Sequence, residues 1–164
     1  GSDAAAVDVV NLQIQTLINR LEENDIDPNS VQRLDGFYEL INLASILERE
    51  AGSGENLLIV SDIFIKRLEN NITLGADATY LYDKKDWSFQ LDQNILNNDS
   101  DNLYNTYIYP GLPPTPISNP GIEAIKAAYQ PKENPYFYFI TGNDGNNYYA
   151  ETLNGHINNI NNYL

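Results

Sequence analysis

Apolar residues recur at helical spacing along most of the first seventy positions. Between 4 and 24, Val7, Val10, Ile14, Leu17, Ile18 and Leu21 share one side, which predicts an amphipathic helix. Asp25 to Asn29, holding Pro28, breaks it. Phe37, Leu40, Ile41, Ala44, Leu47 and Ala51 predict a second helix over 34–51, ended by Gly52-Ser53-Gly54. A third, over 55–69, carries Leu58, Val60, Ile63, Phe64 and Leu68. The pattern then changes. Thr79 to Tyr82 reads as a short strand, and 83–103 as an exposed polar excursion rich in Asn and Asp. Residues 104–121 form a proline-rich loop around Gly111-Leu112-Pro113-Pro114-Thr115-Pro116. Asn119 and Pro120 suit an N-cap and first turn, opening a helix that stops before Pro131. Tyr136 to Ile140 and Tyr148 to Glu151 flank Gly142-Asn143-Asp144-Gly145-Asn146 as a hairpin. A final helix follows Thr152. With no internal repeat, this pattern predicts one α+β domain over 3–164, helices enclosing a small antiparallel sheet.

The second helix raises a question of chemistry. At about 100° per residue, Glu48 projects roughly 50° from the centre of the apolar stripe, while Arg49 and Glu50 point away. A carboxylate there loses hydration, which favours its neutral form, and a neutral acid is what general-acid catalysis requires. The competing reading is a side chain that reaches solvent or pairs with Arg67. Glu50 reads as a solvated charge near the helix end.

Composition narrows the partners. A formal charge of -14 over 164 residues argues against nucleic acid and against anionic lipid, both of which need clustered Lys and Arg. Neutral polymers remain open, and twelve tyrosines suit sugar stacking as well as ordinary core packing. The absence of cysteine excludes disulfides and thiolate sites. No phosphate loop and no His-Glu-x-x-His pattern occurs, and the single histidine, His156, makes no multi-histidine zinc centre. Neither a metal nor another cofactor is implied. Gly1-Ser2 reads as an expression scar, and the chain as a soluble piece of a longer, anchored protein.

The 104–121 loop is the second candidate. Its prolines stiffen the backbone, so Tyr104, Asn105, Thr106, Tyr107 and Asn119 present rings, amides and a hydroxyl with little entropy loss. A rigid turn that packs the domain together competes with that reading. His156 reads as a polar residue flanking Leu153, Ile157 and Ile160, Asp77 as a cap, and 143–145 as a turn.

Three blocks carry a resemblance. They are Leu43-Ala44-Ser45-Ile46-Leu47-Glu48-Arg49-Glu50; Ile63-Phe64-Ile65-Lys66-Arg67-Leu68 with Leu74 to Thr79; and Tyr104-Asn105-Thr106-Tyr107 with Gly111 to Gly121. Together they resemble the endolytic murein transglycosylases, the MltG or YceG-like family, over about 36–160. Gly75 stands where that family usually has glutamine, Ala78 where it has proline, Lys66 where asparagine is common, and Ile157 where asparagine follows the histidine. The family's LysM-like subdomain and membrane anchor are expected to lie outside this chain.

The resemblance implies an extracytoplasmic enzyme that cleaves the bond between N-acetylmuramic acid and N-acetylglucosamine without water, leaving 1,6-anhydro ends. It implies Glu48 as the acid and then the base. Asp77, Thr79, Tyr104, Asn105, Thr106, Tyr107 and Asn119 would orient sugars, with His156 bordering the groove. Peptidoglycan strands are the implied substrate, and cell-wall synthases are possible partners of the anchored parent. The alternative is a domain that binds glycan, or docks synthases, without cutting.

Overall fold

The computed structural model describes residues 2–164, as seven helices and two strands. In chain order these are α1 Ser2–Glu22, α2 Phe37–Glu50, α3 Glu55–Glu69, α4 Asp77–Lys84, α5 Gln93–Asn98, α6 Ile122–Tyr129, β1 Tyr138–Thr141, β2 Asn147–Ala150 and α7 Leu153–Tyr163. The fold is α+β. No helix among the described residues is long and apolar enough to cross a membrane.

The core lies where α2, α3 and α6 meet. Leu40, Leu43, Ala44 and Leu47 of α2 are fully buried with Val60 and Phe64 of α3. The alanines of α6, Ala124, Ala127 and Ala128, are buried too, and their small side chains let α6 lie close to α2. At about 25 cal/mol per Å², each of the larger side chains contributes roughly 1.5–3 kcal/mol by leaving water. The hairpin pairs Phe139 with Tyr149 in antiparallel register. Phe139 meets Phe64 edge-on at 5.8 Å, which docks the sheet on α3. Thr152 caps α7 through its side chain.

A buried carboxylate ties the loops down. Asp62 lies within 2.7 Å of Arg33 and 2.9 Å of Lys66, and it accepts the Asn134 N–H at 3.0 Å. Two stretches without regular structure, 23–36 and 130–137, are thereby joined to α3.

Two expectations are corrected and two are refined. Thr79 to Tyr82 is helical, within α4, not a strand; a four-residue run is too short for periodicity to decide. Helix α6 starts at Ile122, after Gly121, so Asn119 is not its N-cap. The loop stays extended there because Glu48 itself binds the Gly121 N–H. The 83–103 excursion holds α5 and is anchored by buried Leu96 and Asn102. Finally, α1 forms, but Val7, Val10 and Ile14 are more than half exposed and only Leu21 of its stripe is buried. Periodicity predicts the helix; it says nothing of whether a partner covers it.

Candidate active site

Helix α2 runs toward a cleft and stops at Glu50, before Gly52 with its φ of +66°. At that point α4 begins. Its first N–H groups have no partner inside the helix, and Ala78 N–H donates to Glu50 Oε1 at 2.8 Å. The second carboxylate oxygen accepts no hydrogen bond among the described residues, so it is the free one. Glu50 is half-buried. Burial is the main influence on its carboxyl and raises it from 4.5 to about 7, with the negative charge of Asp77 adding to the rise. The Ala78 N–H and the Arg49 charge oppose it without cancelling it.

The cleft has a volume of about 750 Å³. Its groups follow one another from Glu50 outward. Asp77 is next, where Oδ1 accepts a hydrogen bond from the Tyr107 hydroxyl. Tyr107 lies against Gly75, whose φ of +58° suits glycine; a Cβ there would sit 3.6 Å from the Tyr107 ring and 3.9 Å from Arg67. Burial, and then the bond to Asp77, hold the Tyr107 hydroxyl far above its ordinary value, so it stays a donor. Arg67 donates to Leu74 O at 2.6 Å and to Phe137 O at 2.8 Å, which clamps the 72–76 turn to the hairpin. Its guanidinium lies 5.2 Å from the centroid of the Tyr138 ring, and the His156 ring stacks on Tyr138 with centroids 5.2 Å apart. Burial, with the Arg67 charge nearby, lowers the His156 value and favours neutral imidazole.

This geometry redistributes the candidate residues. Glu48 is exposed, not desolvated, and its Oε2 accepts the Gly121 N–H at 3.0 Å, holding the entry to α6. The solvated charge expected at Glu50 is instead the carboxylate sunk into the cleft wall. Asp77, Tyr107 and His156 line the cleft together. Thr79 and Thr106 lie behind it, bonded to each other at 2.9 Å, and Thr106 Oγ1 also accepts the Ala76 N–H. Asn105 is fully buried and donates to Leu96 O and Asp99 O, a structural brace. Tyr104 sits outside the cleft with its hydroxyl 2.8 Å from Thr115. Asn119 is exposed and lines a separate groove beside α1. The 104–121 loop is also a packing device, as its competing reading held. Asn42 donates to Pro113 O, Ser45 accepts from Ile117 N, and Ser118 donates to Ser45 O.

Sequence reasoning alone does not reach Arg67 or Tyr138 as site residues, and it reads Glu50 as a solvated charge. A signal for Glu50 existed. Leu43 and Ile46, both fully buried, lie within roughly 40° of it around α2. Including them widens the apolar arc until it reaches Glu50, although the centre of the arc stays nearer Glu48.

A half-buried carboxylic acid poised near neutrality, in an aromatic cleft closed by an arginine, defines a candidate acid–base site. The chain belongs to the YceG-like family, whose model matches residues 2–162. It is 29% identical over 159 residues to an endolytic murein transglycosylase of Bacillus subtilis, covering 94% of this chain and 42% of that protein. It is 28% identical over 130 residues to an endolytic murein transglycosylase of Streptococcus pneumoniae, covering 74% of this chain and 23% of that protein. A 2.6 Å crystal structure of a YceG-like protein from Listeria monocytogenes superposes with a TM-score of 0.71 at 26% identity, covering 93% of this chain and 46% of that one. The chain thus spans less than half the length of these relatives.

Proposed function

We propose that this chain is the catalytic portion of an endolytic lytic transglycosylase acting on peptidoglycan glycan strands, with Glu50 as the acid and base. The observation that carries the reading is the Glu50 carboxyl in the cleft, raised to about 7, with one oxygen held by Ala78 N–H. The protonated carboxyl gives its proton to the glycosidic oxygen as the bond to muramic C1 breaks through an oxocarbenium-like state. The muramic C6 hydroxyl then attacks C1, and the Glu50 carboxylate takes the hydroxyl proton. The 1,6-anhydro ring closes, the carboxyl is restored, and no water enters. One working carboxylate suffices because the nucleophile belongs to the substrate. Two carboxylates are needed when water or the enzyme supplies it.

The cleft residues have distinct parts in this scheme. Tyr107, locked by Asp77, presents a fixed ring beside the acid. Arg67 and neutral His156 both pack on Tyr138 and make a platform for the neighbouring sugar. Peptidoglycan as substrate, an extracytoplasmic location, an anchored parent and cell-wall synthases as partners belong to the same proposal. The names of the relatives support the substrate and the location; the anchored parent and the synthases rest on the family resemblance alone.

The test is to incubate the protein with purified sacculi and identify anhydromuropeptides by mass spectrometry. Glu50→Gln abolishes them and Glu48→Gln retains them. Anhydro product from Glu50→Gln, or its loss from Glu48→Gln alone, would overturn the assignment.

A further inference from the structure

A second surface next to Glu50 holds the chain's one tryptophan. Trp87 is 48% exposed, in the turn after α4, and the Arg49 guanidinium lies 4.2 Å from its ring centroid. The turn is tethered. Asp86 Oδ1 accepts from Ser88 N at 2.9 Å and from Ser88 Oγ at 2.6 Å, and Phe89 packs 6.2 Å from the fully buried Tyr80 ring. Arg49 forms no ion pair among the described residues, in a protein whose acids exceed its bases by 14. On α4, Tyr82 is 37% exposed and lies 5.2 Å from the Tyr104 ring. Tyr82 is one helical turn beyond Ala78, on the face of α4 whose N-terminal end holds Glu50.

None of these groups lines the cleft. Arg49 is roughly 100° around α2 from Glu50, on the face where Asn42 and Ser45 bind the 104–121 loop. The cleft, by contrast, leads from Glu50 through Asp77, Tyr107 and Arg67 to Tyr138 and His156. Glu50 therefore stands between two surfaces. An enzyme that cuts inside a polymer must hold sugar residues on both sides of the scissile bond, and the cleft supplies one side only.

We propose that Trp87 with Arg49, together with the Tyr82–Tyr104 pair, forms a second sugar-binding platform that carries the glycan strand past Glu50. This rests on the reading of the chain as an enzyme acting on glycan strands. Pyranose rings stack their apolar faces on the exposed aromatics, as any ring with aligned C–H bonds can. Arg49 holds one face of the indole, which leaves the rest of the ring for the sugar and spares the entropy of ordering it.

Because Trp87 is the only tryptophan, its emission reports on this surface alone. The probe is uncrosslinked, peptide-free glycan strands of alternating N-acetylglucosamine and N-acetylmuramic acid, added to the non-cleaving Glu50→Gln variant. Emission shifts to the blue and saturates with the binding seen by calorimetry. Trp87→Ala in the active chain raises KM for long strands by about 3–10-fold, leaves kcat unchanged, and is largely rescued by Trp87→Phe. An unmoved emission while calorimetry records binding, with Trp87→Ala cutting long strands normally, overturns the platform and spares the proposed function. Absence of both binding and anhydro product overturns the two together. Trp87 packs at the surface, so an unchanged melting curve for Trp87→Ala confirms that the fold is intact.

Discussion

Replacing Glu50 with glutamine is expected to make the protein more stable at pH 8 while removing its activity. The carboxyl titrates near 7 in the folded chain, against an ordinary 4.5. Below about pH 4.5 it is protonated in both folded and unfolded chains, so its burial carries no ionic cost. Between 4.5 and 7 the unfolded chain releases a proton that the folded chain keeps, and stability falls as pH rises. Above 7 the folded chain must hold a desolvated carboxylate, and the loss levels off. At about 1.4 kcal/mol per tenfold in proton affinity, the full displacement corresponds to roughly 3 kcal/mol; the open side of the cleft brings this to about 2–3 kcal/mol. Glutamine keeps an oxygen for the Ala78 N–H and bears no charge, so Glu50→Gln escapes that loss. The assay is urea unfolding of both proteins at pH 4 and pH 8. Their midpoints should coincide at pH 4 and differ by about 1 M at pH 8, with the variant the more stable, for a slope near 2 kcal/mol/M. A difference that is the same at both pH values, or a native chain more stable at pH 8, would refute the placement of the desolvated carboxyl at this residue. The combination expected, stability gained as activity vanishes, is the mark of a strained acid–base group.

Other consequences follow from the same contacts. The rate of strand cleavage should fall above about pH 7 as Glu50 ionises; Asp77→Asn, which removes the neighbouring negative charge, should move that fall to lower pH, and an unmoved profile would exclude Asp77 from the electrostatics of the acid. Ala78→Pro removes the N–H that steadies the ionised carboxylate, so the fall should shift upward by roughly 1 pH unit in the same rate profile. Asp62→Ala leaves Lys66, Arg33 and the Asn134 N–H short of a buried acceptor and should cost about 3 kcal/mol in urea unfolding, with a loss under 1 kcal/mol counting against its role as the anchor of both loops.

The contrast between Glu48 and Glu50 shows where sequence reasoning reaches and where it stops. Helices α2, α3 and α7 and the hairpin were readable because their periodicity and turn chemistry are local, and such signals reside in a few consecutive residues. The orientation of α2 was not. A single stripe has a direction only when one side of a helix is solvated, whereas Asn42 to Leu47 are buried all round. For such a helix, neighbouring elements decide which carboxylate is dry. Here α4 is the neighbour, and its residues 79–82 read as a strand from sequence, which hides the N–H that meets Glu50. The prolines from 110 to 120 misled in the opposite sense. They rigidify a loop whose polar groups mostly bind α2, and Glu48 belongs to that set through Gly121. Two carboxylates a turn apart in role, though only two residues apart in sequence, are thus separated by what faces them: a loop that needs an acceptor, and a cleft that needs an acid.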